Sequence, residues 1–315
     1  MQDGKLPHRY AFVLLGLVVL TWGMSWPVTR IVVQEMPPLW STAIRSAIAA
    51  AVLAALLVLR GEFIIPLRGD IPVILSTSLL HMTAYSALTA VGLQYLPAGR
   101  AIVLGYTTPL WVTIGARAFL SEAITPRRAA GVVFGLAGLL VILGPGTLGW
   151  TDRDSLVGSG LIVLAACFWA ANIVYLKVHS WISTPFQLVF WQTLLASAML
   201  SILAALIDGW PHPDWTAQLL LLLCFSGVVC TALAHWAMTV VNRSLPAITT
   251  SLGLLGTPAV GIVSGAAMLG EPYEASTTIA LALIIIGIAI GIAGDGSNGR
   301  FKRDPLSAVG HASAQ

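Results

Sequence analysis

The sequence predicts an all-α integral membrane protein of ten transmembrane helices, arranged as two inverted five-helix repeats. Three observations carry this expectation. Of 315 residues, 57% are hydrophobic and only 9% charged, with a mean hydropathy of +0.88, whereas about a quarter of a soluble domain is charged. The chain also repeats itself. Trp22, Gly23, Arg30 and Pro38 recur 147 residues later as Trp169, Ala170, Lys177 and Pro185, and Leu96-Pro97, Thr108-Pro109, Glu122 and Gly138 recur 149 residues later as Leu245-Pro246, Thr257-Pro258, Glu271 and Gly287. Finally, the apolar sequence divides into ten runs near the length a helix needs to cross a hydrocarbon core about 30 Å thick. Each half holds five runs, an odd number, so the second half must enter the membrane in the opposite sense.

The first run, 10–33, lacks a small-residue cleavage site and is expected to stay as a helix rather than leave as a signal peptide. Pro37 and Pro38 separate it from 39–59, and the charges from Arg60 to Asp70 precede 71–93. Pro97 leads into 98–120 and Pro126 into 127–144, closing a first repeat at 10–144. The Gly-, Pro- and Asp-rich stretch 145–155 reads as a periplasmic linker. The second repeat, 156–294, holds runs at 156–178, 185–207, 215–241, 246–269 and 275–294, and 295–315 reads as a disordered cytoplasmic tail. With a cytoplasmic N-terminus, eleven basic residues fall inside and only Arg30, Arg100 and Arg153 outside, so the positive-inside rule places both termini in the cytoplasm.

Composition also narrows function. The net charge is +3, but the basic residues are scattered singly and form no patch for nucleic acid. Cys167, Cys224 and Cys230 lie in apolar runs without a CxxC pair and read as small buried side chains. No cofactor or metal motif is present, so the expected partners are a small-molecule substrate and membrane lipids. A monomer suffices, because one chain carries both halves.

A five-helix unit with Trp-Gly near the middle of its first helix, Arg45 in its second, then Thr-Pro, Glu122 and a Gly-rich last helix resembles the EamA unit of the drug/metabolite transporter superfamily. Within it, His81, Tyr85, Tyr106, Trp111 and Trp169 at midhelix make the sequence similar to the YddG-type bacterial amino-acid exporters. The resemblance implies ten helices around a central cavity, export of small solutes across the bacterial inner membrane, and broad selectivity among amino acids.

Polar atoms buried in lipid without a partner are costly, so polar residues within spans are expected to point inward. Trp22, Ser25, Trp26 and Thr29 share one face of the first helix, either lining the cavity or packing against a neighbour. His81 and Tyr85 lie four residues apart and share a face, and an imidazole at midspan favours the cavity. Tyr106, Trp111, Trp169, Asn172 and His235 complete the expected substrate site. The scaffold is duplicated but its polar chemistry is not, since His81 aligns with Cys230 and His235 with Ser86. Pro109 and Pro258 occupy equivalent places in the two halves. A proline within a span frees a carbonyl and kinks the helix, so both are expected to be hinges for alternating access or packing kinks retained since duplication. Arg45 is expected to snorkel outward, Arg117 to pair with Glu122, and Glu122 and Glu271 to cap or anchor helix ends.

No Asp or Glu lies at midspan, and only His81 and His235 there titrate near neutral pH. The resulting expectation is uncoupled, facilitated export of aromatic and other neutral amino acids. The alternative is an exporter of drugs, nucleobases or other flat solutes, with or without proton coupling. A phosphate-ester carrier would show several midspan Lys or Arg. An enzyme or haem protein is the remote rival, because HExxH and GxSxG signatures are missing.

Overall fold

The computed structural model describes residues 6–92, 95, 104–143, 153–269 and 275–293. The first half contributes α1 (His8–Glu35), α2 (Pro38–Leu59), α3 (Arg68–Gly92), α4 (Thr108–Phe119) and α5 (Pro126–Leu143). The second contributes α6 (Arg153–Val178), α7 (Pro185–Ile207), α8 (Ala217–Ser244), α9 in two segments (Ala247–Leu254 and Gly256–Leu269) and α10 (Ala275–Ala293). Seven of these, α1 to α3 and α6 to α9, are long and apolar enough to cross a membrane. Among the described residues there is no strand. The prolines act as expected at helix starts, where a missing N–H costs nothing: Pro38 and Pro185 open α2 and α7. Thr184 and Gln187 add a reciprocal capping box to α7. The linker expected over 145–155 is shorter than that, because α6 already begins at Arg153. The rest of that linker, Arg100, Glu271 and the 295–315 tail lie outside the described residues.

Equivalent helices of the two halves pack against each other in opposite directions. In α2 and α7, Leu39, Trp40 and Ala43 meet Leu200 and Ala204, whereas Ala49 to Leu57 meet Val189 and Phe190. Between these clusters Ser197 Oγ donates to the Ala43 carbonyl at 3.1 Å. In α5 and α10, Gly131 faces Gly287 and Gly291, while Gly138 faces Ala280 and Ile284. A GxxxG pair on each helix, Gly131 with Gly135 and Gly287 with Gly291, lets the two backbones touch. The remaining helices pack as matched pairs: α1 lies against α8 and α9, and α6 against α3 and α4.

Large side chains such as Val13, Leu59, Ile114, Leu206 and Leu221 face outward, while Ser78, Asn172, Gln192, Thr193 and Thr250 are buried. That distribution suits a hydrocarbon surround, which rewards apolar surface and drives polar groups inward.

Neither α3 nor α8 is a regular α-helix throughout. Thr77–Tyr85 of α3 and Ser226–Leu233 of α8 are π-helical, and the two segments start 149 residues apart. A π-helix opens the backbone ladder by one residue and is found mostly at functional sites. The proline kinks also materialise. Turns at Tyr106–Thr107 and at Leu255 precede Pro109 and Pro258. Thr108 Oγ1 donates to the Gly105 carbonyl at 2.8 Å, satisfying the acceptor that Pro109 leaves unpaired. α1 carries Pro27 without breaking.

Candidate functional site

The two π-helical segments face one another across α1 and α6, and aromatic side chains fill the space between. Trp22 of α1 donates from Nε1 to the carbonyl of Cys230, inside the π-helical part of α8, at 3.1 Å. Its ring centroid lies 5.7 Å from His81, 5.8 Å from Trp169 and 5.5 Å from His235, in edge-on geometry. His81 stacks on Trp169 with an interplanar angle of 6° and centroids 5.1 Å apart, and lies 5.4 Å from His235. Tyr85 packs against His81 at 6.0 Å and Trp169 at 5.1 Å, and Tyr106 meets Trp169 at 6.3 Å. Six of the nine residues expected at the substrate site therefore form one ring cluster, drawn from both halves.

The other three lie around it. Trp26 packs against the buried core that contains Tyr106 and Trp169. Trp111 donates from Nε1 to Thr107 Oγ1 at 3.3 Å and packs against the same core. Asn172 is buried, and its Oδ1 accepts from Ser76 Oγ at 3.0 Å and Thr77 Oγ1 at 3.3 Å, pinning α6 to the start of the π-helical part of α3. In place of the open cavity the resemblance implies, the rings close on one another, and Trp169 is only 2% exposed. Edge-on and stacked contacts between rings favour such a packed centre.

The halves are not equivalent at this centre. Trp22 has its acceptor, but the buried Nε1 of Trp169, its repeat mate, has none. Arg45 and Gln192 are also repeat mates. Arg45 is half-buried, shares a cleft with Ser226 at the start of the π-helical part of α8, and its Nε is buried without a partner. Gln192 is wholly buried with both amide atoms unpartnered. Sequence reasoning set Arg45 aside because it lies near a helix end. Its alignment with Gln192 shows only that no symmetric charge is required, and the packing of α8 beside it is not visible in the sequence.

At the far end of the bundle, Glu122 Oε1 accepts from the Ala247 amide at 2.9 Å and so caps α9 across the repeat boundary, as expected for a helix-end carboxylate. Its ion-pair partner is Arg128, at 3.8 Å, and not the expected Arg117, which is exposed. Lys177 Nζ donates to the carbonyls of Asn242 and Leu245, neutralising the C-terminus of α8. Asp70, which the sequence did not single out, is fully buried. It accepts from the amides of Ile182 at 3.2 Å and Ser183 at 3.0 Å and from Ser183 Oγ at 2.6 Å, with His179 Nε2 3.6 Å away. It thereby fastens the start of α3 to the α6–α7 connection.

The profile of the family described as "EamA-like transporter family" matches residues 9–144 and 156–292. The chain is 26% identical over 278 residues to "Uncharacterized transporter YoaV" of Bacillus subtilis (strain 168), covering 88% of this chain and 95% of that one. It is 27% identical over 286 residues to "Uncharacterized inner membrane transporter YedA" of Escherichia coli (strain K12), covering 89% of each. Over 143 residues, 45% of each chain, it is 35% identical to a "Riboflavin transporter" of Vibrio cholerae serotype O1 (strain ATCC 39315 / El Tor Inaba N16961). A solved crystal structure shares the fold, with a TM-score of 0.76 over 92% of this chain and 98% of that one at 20% identity. The chain is thus a multi-pass membrane protein that belongs to the EamA-like transporter family.

Proposed function

We propose that the protein exports aromatic and other neutral amino acids across the bacterial inner membrane by alternating access, without ion coupling. The observation that carries this reading is the ring cluster: Trp22, His81, Tyr85, Tyr106, Trp169 and His235 come from both halves and meet at midhelix. Rings offer apolar area to a side chain and a negative face to an ammonium group, and their contacts are weak enough to release a solute. In this reading the ten helices form two inverted units, 10–144 and 156–294, with both termini cytoplasmic. The antiparallel packing of α2 on α7 and of α5 on α10 supports it. Movement at Pro109 and Pro258 would part the rings and open the site to one side at a time. The inner membrane is favoured by the relative YedA, whose name carries that location.

The test is counterflow of labelled phenylalanine in proteoliposomes, together with survival of expressing cells challenged with toxic amino-acid analogues. Saturable exchange independent of an imposed pH gradient is expected; strict dependence on that gradient removes the uncoupled mechanism. A second reading, export of flat heterocyclic solutes, draws on the half-length relative named a riboflavin transporter and on the same stacked rings. Competition by riboflavin but not by amino acids would decide for it.

A further inference from the structure

The seventh residue after Pro38, Arg45 lies about 10 Å along α2 at 1.5 Å per residue, too deep for a surface charge. It borders a small cleft with room for about one water-sized group, lined also by Thr29 and Val32 of α1, Ser41 of α2, and Leu223 and Ser226 of α8. Ser226 also begins the π-helical part of α8, whose Cys230 carbonyl accepts from Trp22, so the cleft and the ring cluster border the same segment. A guanidinium keeps its charge in any surroundings, and an uncompensated charge withdrawn from water is expensive. Yet Nε is buried without a partner, and among the described residues no carboxylate forms an ion pair with Arg45. Its repeat mate Gln192 is neutral, so the duplicated scaffold carries a charge at this position in one half alone.

We infer that Arg45 is the anion anchor of the transport site: the cleft receives a carboxylate on the Arg45 guanidinium, with the rest of the solute lying toward the rings. Thr29 and Ser226 bring hydroxyls to the same cleft. The planar fork of donors suits a carboxylate, and a charge-assisted contact is roughly twice as strong as a neutral one. A solute with a carboxylate at one end and an apolar body at the other fits this order. The inference rests on the amino-acid reading only for the identity of that solute.

The test uses the full chain in detergent and two probe pairs, phenylalanine with phenylalaninamide and benzoate with benzamide, read by tryptophan fluorescence. The acid of each pair is expected to bind at least tenfold tighter than the amide. In Arg45→Gln the two are expected to agree within twofold, and Arg45→Lys to fall between. A wild-type protein without acid preference, or an Arg45→Gln variant that keeps it, overturns the inference. Should Arg45→Gln not fold, Ser226→Val, which narrows the cleft and leaves the charge, decides instead: at least a threefold loss of acid preference is expected, and an unchanged preference overturns. Failure of phenylalanine counterflow with benzoate selectivity intact would remove the amino-acid reading and leave the anchor. Exchange of phenylalanine with the acid preference unaltered in Arg45→Gln would do the reverse.

Discussion

A single methyl group at Gly287 tests whether duplicated helices touch backbone to backbone. A Cβ built there lies 2.7 Å from the Gly135 nitrogen, 2.8 Å from the Gly131 oxygen and 3.2 Å from the Gly135 Cα. All three are main-chain atoms, so no side chain can swing aside, and α10 must retreat by about 0.7 Å to restore ordinary van der Waals separation. Gaps of that size forfeit a quarter to a half of each dispersion contact along the interface, and overpacking of this kind costs about 1–3 kcal/mol. At roughly 2–4 °C per kcal/mol, Gly287→Ala should lower the melting temperature in detergent by several degrees, and Gly287→Leu by more. Gly16 supplies the control, since a Cβ there meets nothing within 4 Å. Gly16→Ala should be neutral, or stabilising by about 0.5–1 kcal/mol through helix propensity. Equal melting temperatures for Gly287→Ala and Gly16→Ala would refute the antiparallel contact of α5 with α10.

Asp70→Ala should cost about 3 kcal/mol, because it leaves the Ile182 and Ser183 amides and the Ser183 hydroxyl without their acceptor, and limited proteolysis should then reach the α6–α7 connection. Intact resistance would show that Asp70 does not fasten it. Glu122→Ala removes the cap on the Ala247 amide and should cost about 1 kcal/mol, with Glu122→Gln milder because an amide oxygen still accepts. Trp169→Ala should destabilise by about 3–5 kcal/mol, since the ring is almost wholly buried, so its effect on transport is better read from Trp169→Phe. Together with His81→Ala, that variant should slow phenylalanine counterflow severalfold at an unchanged amount of folded protein; normal rates in both would take the ring cluster out of the transport path.

Much of the scaffold was legible because the membrane forces simple rules. A run such as 185–207 must be predominantly apolar, and Pro185 marks its start, so the expected limits match α7 residue for residue. Tyr85 and His81 share a face by spacing alone. The π-helical stretches were not legible, because their residues carry ordinary helical composition and the extra residue per turn is imposed by what packs on them: Trp22 on Cys230, and Asn172 on Ser76 and Thr77. Arg45 was misjudged for a related reason. Distance from a helix end sets how far a side chain can reach, but its surroundings depend on the neighbouring helix, and here Ser226 of α8 borders the same cleft as Arg45.

The sequence by itself determined that this chain is helical, duplicated and membrane-embedded, because hydropathy, proline placement and an internal repeat are local properties of the chain. Only the tertiary structure decided that the midhelix rings close on each other, that Asp70 and Glu122 fasten elements 112–125 positions apart, and that Arg45 stands unpaired beside a cleft. Those outcomes depend on which helices face one another at what depth, and a long-range pairing of that kind leaves no periodic trace in either partner.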